Sequence, residues 1–145
     1  MRINTRCSIA LHCLVGIYEF ADKRKVTSEL LAKSTGCNAA AIRSILLVLQ
    51  KKGIISVARG VGGARLNKEP EQITVWDIYN SLEPEGLENF IGLHPSPSDK
   101  CPVGQEIHSV LKTTYQEISN AVKENMMKIT LRQILDNYRK SQNTL

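Results

Sequence analysis

The sequence has 145 residues, 42% hydrophobic content and a formal net charge of +5, enough chain for one domain with a real core. No apolar run approaches the roughly 18 residues of a membrane span, and four cysteines without a CxxC pair make neither a disulfide framework nor a zinc site. The charge is unevenly placed: residues 1–68 hold twelve Lys/Arg against three acidic side chains, and residues 69–145 hold seven against eleven. A basic half joined to an acidic half suggests a polyanion-binding head and a separate body.

The N-terminus, MRINTRCSIALHCLVGIYEF, places arginines before an apolar stretch as a signal peptide does. His12 interrupts that stretch, Glu19 arrives early and no small-residue cleavage site follows, so a cytoplasmic protein is expected. Residues 6–21 read as a helix apolar nearly all round, the kind that other elements enclose. Cys7 and Cys13 are then small core residues and His12 a satisfied or rim histidine. Arg2 and Arg6, just before or at the helix start, can reach phosphate or simply keep the terminus soluble.

Asp22 to Lys25 makes a polar turn. Thr27 is a good N-cap with Glu29 near the positive helix end; Leu30, Leu31 and Ala32 supply the apolar face of a short helix that Gly36 terminates. Asn38 caps the next helix, where Ile42, Ile45, Leu46 and Leu49 fall at i, i+3, i+4 and i+7. Its other side carries Asn38, Ala40, Arg43, Ser44 and Lys51, and Gly53 ends it. Residues 54–58 are β-branched enough for a strand, Arg59-Gly60-Val61-Gly62-Gly63 is a flexible tip, and Ala64 to Leu66 returns.

Ile73 to Leu82 predicts a further short helix with Thr74 as N-cap, Asp77 three positions on and Trp76 in the core. Residues 83–101, with three prolines, form a loop. A long helix follows Pro102, and the stripe Leu111, Tyr115, Ile118, Val122, Met126 and Ile129 predicts an amphipathic helix of about five turns. Thr130 and Gln133 form the capping box of a final short helix, and the tail SQNTL is expected to be disordered. The fold class is thus mainly α with a small β wing. Residues 1–82 form a winged helix-turn-helix head, 83–101 a loop, and 102–145 a dimerisation helix and C-terminal helix, all in one compact domain.

Residues 27–66 carry the chemistry. In a helix-turn-helix the second helix lies in the major groove with its N-terminal residues at base edges, which needs small residues at the entry and a long polar donor a turn later. Ala39, Ala40 and Ala41 meet the first need; Arg43, with Ser44 beside it, meets the second. Glycines let a wing approach the sugar-phosphate surface, while Arg59 and Arg65 neutralise phosphate or enter the minor groove. A nucleotide-cradling loop would instead place the glycines at a strand-to-helix turn, whereas here strand-like sequence lies on both sides.

The run LQKKGIISVARGVGGARLNKEPEQITVWDIYNSLE resembles the signature of the Rrf-two (Rrf2) family of bacterial transcription regulators. The likeness covers about residues 2–130, and the RGxxGG wing at 59–63 is its most specific part. It implies a homodimer built through the long C-terminal helix on a roughly palindromic double-stranded DNA operator, acting as a repressor. Carried over, it puts Ala40, Arg43 and Ser44 on the recognition helix and Arg59, Gly60, Gly62, Gly63 and Arg65 on the wing. Members that bind an iron–sulfur cluster carry three cysteines before the long helix. This chain has only Cys101 there, with His94 and His108 nearby, and such clusters want mainly thiolate ligands. No cofactor and no metal are expected, and the sequence resembles the cluster-less branch.

What the protein senses is less directly written. Cys101 stands at a helix start beside Lys100 in a Pro-rich loop, a setting for a reactive, accessible thiol. Cys37 occupies the corner of the helix-turn-helix, where a hydrophobe usually sits. Oxidation joining Cys37 to Cys101, more readily across a dimer, would alter DNA binding if the two come within disulfide reach; structural cysteines with a small-ligand effector are the alternative. No paired carboxylates or nucleophile–base spacing point to an enzyme. A winged helix used for protein contacts would want an acidic or apolar recognition face, against Arg43, Lys51, Arg59 and Arg65.

Overall fold

The computed structural model describes residues 4–60, 63–88 and 90–144. Among them run α1 (Arg6–Phe20), α2 (Ser28–Thr35), α3 (Ala39–Lys51), β1 (Ile55–Ala58), β2 (Gly63–Leu66), a 3-10 turn (Pro70–Gln72), α4 (Val75–Leu82), α5 (Pro102–Lys128) and α6 (Leu131–Asn143). Because α1 is apolar nearly all round, it can be packed from several sides at once. It lies against α2, α3, α4, β2 and α6, burying Ala10, Cys13, Leu14 and Ile17.

The helix-turn-helix corner follows from three local choices. Thr27 Oγ1 accepts from the Leu30 amide at 3.1 Å and Asn38 Oδ1 from the Ala41 amide at 2.8 Å, each satisfying an amide left open at a helix start. Between them Gly36 adopts φ +74° and its amide closes on the Ala32 carbonyl, a left-handed C-cap that a side chain would strain. The inward face of α3, Ile42, Ile45, Leu46 and Leu49, is buried as its spacing predicts. β1 and β2 pair antiparallel with Ile55 opposite Leu66 and Ala58 opposite Gly63.

The capping boxes at Thr74 and Thr130 are both formed. Leu131 and Leu135 of α6 join the same core as α1, α3 and α4, so α6 folds back onto the head. α5 leaves it: Ser119 alone of its 27 residues is buried.

Four expectations are revised. The 27 residues of α5 make about 7.5 turns rather than about five, because the helix holds from Pro102 although the apolar stripe begins only at Leu111. Residues 141–143 of the tail are the last of α6, carried by a helix already nucleated at its capping box. Trp76 is only partly buried; its indole stacks on Tyr79 and lies under the Lys123 ammonium, 5.0 Å from the ring centroid. Cys7 is half-buried at the start of α1 rather than fully inside.

Candidate nucleic-acid interface

With its apolar face turned inward, α3 presents Ala40, Arg43, Ser44, Leu47 and Lys51 outward, all exposed. These positions recur at three- and four-residue steps, so they share one face. Asn38 is exposed at the entry of the helix and is engaged as its cap. The Arg43 guanidinium stands 3.6 Å from the Glu29 carboxylate at the start of α2. Hydrogen bonds from its own backbone amide and from Ser28, with Arg43 nearby, hold the Glu29 carboxyl below its ordinary range.

The wing is seated by contacts beneath it. The Ala64 amide donates to the Val26 carbonyl at 3.0 Å, and the Lys25 ammonium donates to the Gly60 carbonyl. Gly63 is buried at φ +67°, and a Cβ there would stand 2.7 Å from the Val26 nitrogen; glycine is required both by conformation and by space. Arg59 and Gly60 are exposed at the tip. Gly62, also expected on the wing, lies outside the described residues, as does Arg2. Arg65 turns back instead, donating to Asp22 Oδ1 and to the Ala21 carbonyl, each at 2.9 Å. Its first task is bracing β2 against the end of α1.

Between wing and α3 lies an open cleft of about 460 Å³ whose lining includes Glu29, Arg43, Leu47, Gln50, Val57 and Gly60. Leu47 is 51% exposed and Val57 41%. Sequence reading missed both, along with Glu29 and Lys25. Leu47 was detectable, since it and Val48 are the two residues of ILLVL that fall off the i, i+3, i+4, i+7 stripe, and Leu47 shares the outward face of Arg43 and Lys51. An apolar contact of this kind suits a thymine methyl in the major groove.

The thiols occupy four different settings. Cys37 is half-buried against the core, with its sulfur 3.9 Å from the Thr35 carbonyl. Cys13 is buried close by on α1, and burial first, the Cys37 thiol second, push it up to about 11. Burial, with the Glu83 carboxylate adding to it, raises Cys7 as well. Cys101 is exposed at the N-cap of α5. His12 bonds Ser34 Oγ at 2.8 Å.

This arrangement agrees with what the chain is similar to. The model of the Rrf2 family, described as iron-dependent transcriptional regulators, matches residues 3–137. The chain belongs to the Rrf2 family. YwnA of Bacillus subtilis (strain 168), whose name assigns it provisionally to the HTH-type transcriptional regulators, is 29% identical over 134 residues, which cover 92% of this chain and 97% of YwnA. The fold is shared with IscR of T. potens (TM-score 0.73, 22% identity, covering 98% of this chain and 91% of that one). It is shared too with CymR (YrzC), the global cysteine regulator of B. subtilis (TM-score 0.66, 19% identity, 94% and 97% covered). The protein is a transcription regulator with a DNA-binding winged-helix fold, and not an enzyme. No helix among the described residues is long and apolar enough to cross a membrane.

The family's description raises the question of iron. Among the described residues no three His, Cys, Asp or Glu side chains gather as a metal site. Near Cys101 the imidazoles of His94 and His108 pack edge to face, centroids 5.2 Å apart, and His108 Nε2 lies 2.6 Å from the His94 carbonyl. A donor set of one thiol, with one imidazole engaged by backbone, does not fit a cluster that wants thiolates.

Proposed function

We propose that two copies of this chain join through α5 and repress transcription by setting their α3 helices into successive major-groove segments of a roughly palindromic operator. The observation that carries the DNA reading is the outward face of α3, where Arg43, Ser44 and Lys51 stand exposed beside a basic wing tip. Arg43, one turn into the helix, would read guanine, while Lys51, Arg59 and the exposed backbone of Gly60 would meet phosphate; buried Gly63 seats the wing instead. Dimerisation is supported by α5, where Ser119 alone is buried and Leu111, Tyr115, Ile118, Val122 and Met126 recur at three- and four-residue steps along one face, half-buried or exposed. Such a face wants an apolar partner, and a second copy supplies one with two-fold symmetry matching a palindrome.

Binding to duplex DNA upstream of the protein's own gene, followed by gel shift across a salt series, tests the reading. Tight binding that weakens steeply with salt is expected, because phosphate neutralisation releases counterions. Binding that ignores salt, or a monomer by sedimentation at micromolar concentration, would count against it.

Thiol control completes the proposal. Cys101 is exposed and Cys37 sits between the two helices of the DNA-binding motif, so a Cys37–Cys101 disulfide would act directly on the placement of α3. Peroxide-treated and dithiothreitol-treated protein, with Cys37→Ser and Cys101→Ser alongside, decides it. A redox-dependent shift that either substitution abolishes is expected; a shift indifferent to oxidant retires the switch and leaves the regulator.

A further inference from the structure

A second cleft, of about 670 Å³, opens where the end of α1, the segment after β2 and α6 meet; Tyr18, Glu19, Asp22, Arg65, Lys68 and Arg139 are among its walls. Two arginines on one face of α6, seven residues apart, stand over the same Tyr18 ring, at 5.3 Å for Arg132 and 5.6 Å for Arg139. They are not equivalent. Arg132 is closed, donating to Glu71 at 2.7 Å and to the Tyr18 hydroxyl at 3.3 and 3.4 Å. Arg139 is held more loosely: it pairs with Glu19 Oε1 at 3.8 Å, beyond hydrogen-bond reach. That Glu19 oxygen is buried and has no hydrogen-bond partner among the described residues.

A buried carboxylate oxygen without a donor is costly, and an arginine with free N–H groups is a fork for a carboxylate. Glu19 keeps part of its side chain, 20%, exposed beside the cleft, so a cation at that carboxylate and an anion at Arg139 would complement both charges, and the remaining wall carries both signs of charge. The volume is that of a small-molecule site. The wall also includes the Arg65–Asp22 pair, which braces the wing.

We propose that this cleft binds a small zwitterionic metabolite of the α-amino-acid class, its ammonium on Glu19 and its carboxylate on Arg139, and that occupancy acts on the wing through Asp22 and Arg65. The effector role rests on the DNA-binding reading above; the binding itself does not.

Isothermal titration of the reduced full chain with each of the twenty standard amino acids, and with acetate and ethylammonium as probes of one charge, tests it. One or a few amino acids are expected to bind, the single-charge probes about tenfold or more weakly, and Glu19→Gln to cost a similar factor. Arg139→Lys keeps the charge but loses the fork and should weaken binding too, which guards against a Glu19 variant that fails to fold. No binding by any amino acid, or equal binding in both variants, overturns the site. Gel shifts with and without the bound amino acid separate the two claims. Unchanged DNA affinity overturns the effector role alone, and loss of DNA binding in every state overturns the regulator reading instead.

Discussion

Thr74 and Thr130 face each other in an isolated antiparallel bridge while each caps its own helix. The Val75 amide donates to the Ile129 carbonyl at 2.9 Å, and the Leu131 amide to the Ile73 carbonyl at 2.7 Å. One short bridge therefore ties the end of α5 and the start of α6 to the start of α4.

Thr130→Ala should destabilise the protein by about 1 kcal/mol, the usual worth of an N-cap hydroxyl, and Thr74→Ala by a similar amount. Because the two residues share the bridge, loosening it once leaves less to lose. The double variant should cost about 0.5 kcal/mol less than the sum. Urea unfolding at unchanged slope measures all three; strict additivity would mean the bridge transmits nothing.

Arg43→Ala and Arg59→Ala should weaken DNA binding in different ways. Removing a base-reading arginine costs about 1–3 kcal/mol on the preferred site and little on random duplex. Loss of a phosphate contact at the wing weakens both alike and reduces the salt slope by about one. Anisotropy titrations on the operator and on a scrambled duplex separate them, and identical profiles for the two variants would sink the division of labour.

Glu29 puts a negative charge beside the arginine expected to read bases, 3.6 Å away. Glu29→Gln should tighten binding to random duplex a few-fold while narrowing the gap between operator and non-operator DNA, since a held arginine reads and a freed one grips. The Glu29 carboxyl lies below its ordinary range and stays ionised through mild acid. Lowering the pH from about 7 to about 5 should therefore not reproduce the substitution. A wild-type protein that loses discrimination over that range would show the carboxylate is not the agent.

Most of this local architecture was legible because it rests on short-range rules. Thr27, Gly36, Asn38, Thr74 and Thr130 act within four residues of themselves, and their chemistry sets helix ends wherever the chain goes. What the sequence concealed is long-range. Arg65 and Asp22 are 43 positions apart, so an arginine in a wing motif reads as free until the fold brings it a carboxylate. Trp76 reads as core because its ring is large, yet it is only partly buried and its ring lies under the Lys123 ammonium of α5. Glu19 reads as the late acidic residue of an apolar helix and Arg139 as ordinary helix surface, and only the return of α6 against α1 makes a cleft of them.

Glu71 and Arg132 clasp α6 to the 3-10 turn at 2.7 Å. The Arg132 hydrogen bond, with the residue's own amide second, holds the Glu71 carboxyl below the ordinary value of 4.5. A carboxyl whose folded pKa is depressed contributes stability that is fully present above its unfolded value and lost as pH falls through the folded one. Stability should accordingly decline on acidification below about 4.5, and Glu71→Gln should flatten that decline while lowering the neutral plateau slightly, as expected for an exposed pair. Unfolding curves at several pH values check both limbs; an unchanged acid slope would assign it to other carboxylates.

Gly63 and Gly36 share a left-handed backbone, φ +67° and +74°, but not their surroundings. A side chain on Gly36 meets nothing within 4 Å, so Gly36→Ala should cost about 1–2 kcal/mol of backbone strain and no more. At Gly63 the added Cβ would also press on the Val26 nitrogen and oxygen, at 2.7 and 2.8 Å, where the Ala64 amide takes its anchor. Both are backbone atoms and cannot rotate away. Gly63→Ala should therefore exceed Gly36→Ala in cost by about 1 kcal/mol or more and lift the wing from its seat. DNA affinity should fall even where α3 remains folded by circular dichroism. If the alanine variant keeps full affinity, the wing is not held by this contact, and the grip on DNA belongs to α3 alone.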